Sequence, residues 1–232
     1  MQNAYFNWSS GKDAALAYYR IQQDPTWSIQ RLLTTVNEVH QRVTMHGLRI
    51  DLLERQAQEL GLPLDKVYLP ANPSMKDYDR LLTQQVEQYV EQGYTHSVFG
   101  DINLEDLRDY REKQLDTLNL KGVFPLWQED TRALLEESIS LGFKSIIICL
   151  DNRKLDESFL GRTLDLAFLD ELPPGVDPCG ENGEFHTFCY DGPIFQEPIP
   201  FMLGERVLRT YPNPSGASGP PAAFWFLDLV PV

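Results

Sequence analysis

Trp8-Ser9-Ser10-Gly11-Lys12-Asp13 stands between a short apolar run at residues 4–6 and a helical pattern that begins at Ala14. A strand that turns through small residues into a helix gathers backbone N–H groups at one place. The unsatisfied donors of the first helical turn and the positive end of the macrodipole add to them. That arrangement attracts anions, phosphate above all. Gly11 permits close backbone approach, Ser9 and Ser10 add hydroxyls, and Lys12 adds a full charge. The same residues also suit an ordinary strand-to-helix turn capped by Ser9 or Ser10. Neither G-x-x-x-x-G-K-[ST] nor G-x-G-x-x-G occurs, so two common nucleotide loops are excluded.

Outward from this turn, the apolar pattern alternates between short strands and longer helices. Helices are expected over residues 14–22, 48–60, 74–92, 104–118 and 130–141, and strands over 30–36, 67–69, 96–99, 123–124 and 145–150. Gly61, Gly93 and Gly142 supply C-terminal stops, Pro63 follows the first of them, and Ser74 is a ready N-cap. Such alternation indicates a parallel α/β sheet, whose ligands sit beyond the C-terminal strand edge. The 8–13 turn, the segment after Val36 and Gly100-Asp101 all fall on that edge. From about Arg153 the alternation stops and Pro and Gly become frequent. Residues 195–209 and 224–230 suit antiparallel strands, and residues 211–221 look like a mobile hairpin tip between them. The expected organisation is a nucleotide-binding α/β domain over residues 1–150 and a smaller α+β appendage over 151–232.

Composition bounds the function. The 232 residues are 42% hydrophobic and 23% charged, with no apolar run long enough for a membrane span and no secretion signal. Cys149, Cys179 and Cys189 form no C-x-x-C pair, which fits free thiols and a cytoplasmic location. The formal net charge of −14 argues against a broad nucleic-acid surface. It suits a cationic substrate or a basic partner, or solubility alone.

A second dense stretch is Asp177-Pro178-Cys179-Gly180-Glu181-Asn182-Gly183-Glu184-Phe185-His186-Thr187. If it is extended, Glu184 and His186 face one side and Phe185 the other, so that a carboxylate and an imidazole converge. Such a pair can hold Mg²⁺, move protons or bind a cation. A Gly-rich turn into a surface strand is the plain alternative.

The segment from Ser9 to Asp13 resembles the PP-loop of ATP pyrophosphatases, usually Ser-Gly-Gly-x-Asp-Ser. Ser10 stands where that form has its first Gly, and Ala14 where it ends in Ser. Met45-His46-Gly47, Gly100-Asp101-Ile102, Pro125-Leu126-Trp127, Phe159-Leu160-Gly161-Arg162 and the 180–187 segment follow in order. Together they resemble the diphthine–ammonia ligase family, a PP-loop branch of the adenine nucleotide α-hydrolase-like superfamily, in its short form. The similarity spans roughly residues 4–200, and Gly-Glu-Asn-Gly-Glu-Phe-His-Thr is its specific part.

The resemblance implies a Rossmann-like, HUP-type fold and an ATP-dependent amide synthesis. A carboxylate is adenylated, pyrophosphate leaves, and ammonia displaces AMP. In this reading Ser9, Ser10, Gly11, Lys12 and Asp13 bind the phosphates, and the backbone near Thr35 and Val36 holds adenine. His46 joins the nucleotide side, with helix capping or packing as its other role. Glu181, Asn182, Glu184, His186 and Thr187 line the acceptor side, and Trp127 or Phe185 offers an aromatic face to a cation. Lys12, Asp13, Asp101 and Glu184 are the catalytic candidates, with Asp13 and Asp101 as Mg²⁺ ligands. Arg162 is expected to be structural. The implied partners are ATP, ammonia and a carboxylate acceptor such as diphthine on elongation factor 2, with no nucleic acid or membrane; a homo-oligomer is left open. Two alternatives remain: a thiolation or small-molecule ligase, for which Cys179 is the candidate thiol, and a non-catalytic nucleotide-binding module.

Overall fold

The computed structural model describes residues 1–211 and 221–232. β1 (Gln2–Asn7) leads through the turn at residues 8–11 into α1 (Lys12–Gln22). Then come β2 (Trp27–Asn37), a two-residue β3 (Arg42–Val43), α2 (Ile50–Leu60), β4 (Leu64–Leu69) and α3 (Met75–Glu91). β5 (His96–Val98), α4 (Glu105–Asp116) and β6 (Lys121–Val123) complete the first half. Local chemistry sets the boundaries. α2 stops at Gly61, whose φ of 67° forms a left-handed cap that costs glycine little. α3 opens with a capping box, the Ser74 hydroxyl accepting from the Asp77 N–H while the Asp77 carboxylate accepts from the Ser74 N–H.

β1 pairs in parallel with β2 on one side and β5 on the other; β4 joins β2, and β6 joins β5. The parallel order is therefore β4–β2–β1–β5–β6, and β3 adds antiparallel to the end of β2. Strand order reverses at β1, which opens a crevice beyond the C-terminal ends of β1, β2 and β5. Alternation along β1 builds both cores. Ala4 and Phe6 face the core shared with α1 and α2, while Tyr5 faces Tyr89 and Tyr94 on the other side.

The second half holds α5 (Thr131–Ser140), β7 (Lys144–Asp151), α6 (Leu166–Glu171), β8 (Phe185–Asp191), β9 (Phe201–Tyr211) and β10 (Ala222–Pro231). Its strands form an antiparallel sheet in the order β8–β7–β10–β9. The chain thus combines a mostly parallel Rossmann-like sheet with a smaller antiparallel one, as expected. One strand changes sheets. Residues 145–150 read as a continuation of the parallel alternation, yet β7 pairs antiparallel with β8 and β10. Its run is buried on both faces, so it carries no period that reveals its partners. β9 and β10 pair as the expected hairpin. Of the tip expected over residues 211–221, Tyr211 ends β9 and residues 212–220 lie outside the described residues.

The two sheets are stitched together at the crevice. The Cys189 N–H of β8 donates to the Ser10 carbonyl at 2.9 Å, and Arg42 and Arg49 both bond the Asp228 carboxylate of β10. Among the described residues, no helix is long and apolar enough to cross a membrane.

Candidate active site

The turn after β1 is held in an unusual conformation. Ser10 has φ 74°, the left-handed region, and its carbonyl accepts from Cys189 N–H and from Gln56 Nε2 at 3.0 Å. Gln56 is fully buried; it also bonds the Cys189 carbonyl at 2.7 Å and accepts from Trp8 Nε1 at 2.8 Å. This satisfied network pins the turn from below. Gln56 was missed in the sequence, although a signal existed: it occupies an apolar position of α2 in step with Leu52, Leu53 and Ala57.

Gly11 is extended, so its lack of a side chain matters for space and not for φ. A Cβ there would lie 3.2 Å from Thr187 Oγ1, 3.3 Å from the Thr187 carbonyl and 3.4 Å from His46 Cε1. Gly100 is the second close approach. A Cβ there would meet the Ala14 nitrogen at 2.9 Å, so β5's loop packs directly on the first turn of α1.

Lys12 lines the crevice but is itself buried, 4% exposed. Its N–H donates to Thr187 Oγ1 at 3.1 Å, and its ammonium bonds Asp13 Oδ2 at 2.7 Å and the Cys179 carbonyl. Burial pushes its pKa down, but Asp13 and the neighbouring acidic groups outweigh that and leave it raised. The ammonium therefore stays charged beneath the turn.

These segments surround a cleft of about 750 Å³. Ser9, Gly11, Lys12, Asp13, Thr35, His46, Asp101, Glu181, Asn182, His186 and Thr187 line it, and so does Phe185. Ser10, Val36 and Glu184 do not. Ser10 and Val36 are fully buried, the latter in the β2 ladder. The carbonyl of Thr35 is taken by the Thr44 N–H at 3.1 Å.

Glu184 differs from the expected convergence with His186. The strand begins only at Phe185, and Gly183, with φ 78°, breaks the two-residue alternation just before it. The Glu184 carboxylate is buried, 2% exposed, beside the Asp177 N–H at 3.5 Å, Asn182 Nδ2 at 3.3 Å and Lys154 Nζ at 3.7 Å. It stands behind the 177–183 loop. The imidazole of His186 instead stacks on His46, with ring centroids 4.6 Å apart. Burial, then the Lys12 charge, pushes His186 down to about 4. Burial and His186 hold His46 well below its ordinary value. Both rings are neutral at physiological pH.

Three carboxylates share the cleft. Asp101 pairs with Arg111 at 2.6 Å, and Glu181 Oε1 accepts from the N–H groups of Ile102 and Asn103 at 3.2 and 3.0 Å. Burial raises the pKa of both carboxyls, and the Asp13 charge adds to it. Glu181 thereby ties the loop after β5 to the loop before β8. Trp127, expected as an aromatic face, and the structural Arg162 lie outside the cleft lining, whereas Cys179 is part of it. Trp127 stacks under Arg108, and Arg162 pairs with Glu171 at 2.6 Å. Cys179 is a buried thiol directed at the Thr131 carbonyl, and burial raises its pKa. Such a sulfur is a poor nucleophile.

With this geometry in hand, the comparisons with known proteins agree among themselves. Residues 1–122 match the family model of the diphthamide synthase N-terminal domain, and residues 130–210 that of the diphthamide synthase C-terminal domain. The chain is similar to the diphthine–ammonia ligase of Homo sapiens, 36% identical over 132 residues that cover 53% of this chain and 48% of the human protein. To that of Danio rerio it is 31% identical over 176 residues, covering 69% of this chain and 68% of the fish protein. The matched region spans about half the length of the human and bovine relatives.

Proposed function

Because this chain belongs to the diphthamide synthase family, we propose that it is an ATP-dependent ligase that adenylates a carboxylate and then replaces AMP with ammonia. The observation that carries this reading is that the turn at residues 9–13 and the segment at residues 180–187 face one cleft. An anion cradle and an acceptor wall then meet at a common volume, as a two-substrate transfer requires.

In this reading the triphosphate lies along Ser9, Gly11 and Asp13 at the start of α1, over the buried Lys12 charge. Adenine lies towards Thr35 and His46. A carboxylate oxygen of the acceptor attacks the α-phosphorus in line, and pyrophosphate leaves with the electrons of the broken P–O bond. Ammonia then attacks the acyl carbon, the C–O bond to AMP breaks, and the new amide nitrogen sheds a proton. Glu181, Asn182, His186 and Thr187 form the acceptor side. The acceptor we favour is a diphthine-like carboxylate beside a quaternary ammonium, for which the uncompensated acidic charge of the cleft is suited. Elongation factor 2 is the carrier that this acceptor implies.

Magnesium fits the donor chemistry. Burial raises the pKa of both Asp101 and Glu181 and the nearby Asp13 charge adds to it, a like-charge crowding that a divalent cation relieves. Among the described residues, no group of three or more His, Cys, Asp or Glu forms a cage of its own. An ion that takes its remaining ligands from phosphate and water needs only one or two carboxylates. Asp13 and Asp101 would hold it, and it would neutralise charge on the pyrophosphate.

The test is product analysis with ATP, ammonium and a panel of carboxylates that includes diphthine-bearing elongation factor 2. AMP and pyrophosphate formed only with a carboxylate are expected. ADP and phosphate as the main products would overturn the proposal.

A further inference from the structure

The edge of the antiparallel sheet leaves an unusual amount of apolar surface uncovered. β9 ends the strand order, so one side of its ladder bonds β10 and the other faces outward. Met202, Leu203, Val207, Leu208 and Tyr211 are all exposed along it, Met202 and Leu203 at 58% each. A long, open, apolar edge is a template for a further strand.

The charge pattern says which strand. Glu205 and Arg209 are exposed, and among the described residues neither has an ion-pair partner. Residues 212–220 contain no charged side chain that could provide one. The two residues stand four apart on one strand, about 13 Å, too far to meet each other. Pairing with β10 is continuous from Arg206 to Tyr211, and the bulge that sets Gly204 and Glu205 opposite Asp228 lies at its end. Glu205, Val207 and Arg209 therefore share one face, with Val207 midway between opposite charges.

A two-fold axis through Val207, normal to the sheet, brings up a second β9 running antiparallel. It sets Glu205 opposite the partner subunit's Arg209, and Arg209 opposite the partner subunit's Glu205. Val207 meets its own copy at the axis. On the reverse face, Arg206 lies opposite the partner subunit's Leu208. Directly opposed residues have Cβ atoms about 5 Å apart, within ion-pair reach. We propose that the chain forms a two-fold homodimer through the β9 edge, closing an eight-stranded antiparallel sheet. Isologous pairing of this kind is self-limiting and removes the open edge. The inference is independent of the proposed reaction.

Sedimentation equilibrium of the full chain tests it, with a mass twice 26.6 kDa expected for the wild type. Glu205→Arg and Arg209→Glu each set like charges opposite one another in both halves of the contact. Each should raise the dimer dissociation constant at least about tenfold. Combining Glu205→Arg with Arg209→Glu restores opposite charges and should bring back the dimer. That rescue can arise only between chains at this register, because the two residues do not touch within one chain. Amide exchange along β9 in the wild type, slowed at high concentration and released on dilution, reads the same contact without substitution. A monomeric wild type, a dimer that neither single change weakens, or a combined variant as weak as the single ones would each overturn the proposal.

Discussion

The backbone N–H of Lys12 donates to the hydroxyl of Thr187 at 3.1 Å, joining the turn after β1 to a strand 175 residues later. Both groups are buried. Thr187→Val keeps the shape but strands the donor, at a cost of about 1–3 kcal/mol. Thr187→Ser keeps the acceptor and should lie close to wild type. Urea denaturation of the pair checks this. A loss in Thr187→Ser with none in Thr187→Val would mean that the methyl group, and not the hydrogen bond, holds the contact.

Ser10 combines a left-handed backbone with a buried hydroxyl that has no hydrogen-bond partner among the described residues. Ser10→Gly removes both penalties and gives back some unfolded-chain entropy, for a net stabilisation of about 1 kcal/mol. Thermal melting should rise by about 2–4 °C. A fall in melting temperature would show that the hydroxyl is satisfied after all.

The stacked imidazoles make stability depend on pH. His186 binds its proton near pH 4 in the folded protein but near 6.5 when unfolded. Between these values the unfolded chain holds more protons, so stability rises with pH. Its contribution is complete above pH 6.5 and is lost as the pH falls towards 4, by roughly 2–3 kcal/mol, with His46 acting in the same direction. Denaturation at several pH values should show this slope, and His186→Gln should flatten it. An unchanged slope in the variant would assign the dependence to other groups.

The two glutamates of the 180–187 segment should separate. Glu184→Ala removes the buried acceptor beside the Asp177 N–H and Asn182, so a loss of about 2 kcal/mol in stability is expected. Glu181→Gln still offers an oxygen to Ile102 and Asn103 and relieves repulsion from Asp13. Its stability should stay within about 0.5 kcal/mol of wild type. Under the proposed function, acceptor-dependent AMP release should nevertheless fall in Glu181→Gln. Calorimetric melts alongside product assays distinguish the two. A Glu184→Ala protein that melts normally would take that residue out of the loop's support.

Much of the architecture was legible from residues alone, because its causes are local. Alternating apolar periods, the Ser74 cap and the Gly61 stop act within a few residues, so helices, strands and the parallel sheet were readable in order. The 8–13 turn and Gly100-Asp101 were expected on one strand edge from the alternation alone, whereas residues 180–187 were assigned to the site only through the family resemblance. What no local pattern encodes is pairing between distant segments. β7, apolar on both faces, found its partners in the second sheet. Glu184 was expected to face the site with His186, yet its carboxylate is buried beside the Asp177 N–H and Asn182, just ahead of the strand that begins at Phe185. The usual motif places glycine at position 10, but only the fold reveals that this is the left-handed residue and that Gly11 is kept bare by Thr187 and His46. Spacing along the chain determines which face a side chain takes within its own element. Whether that face meets solvent, a cleft or another sheet depends on contacts closed across more than a hundred residues.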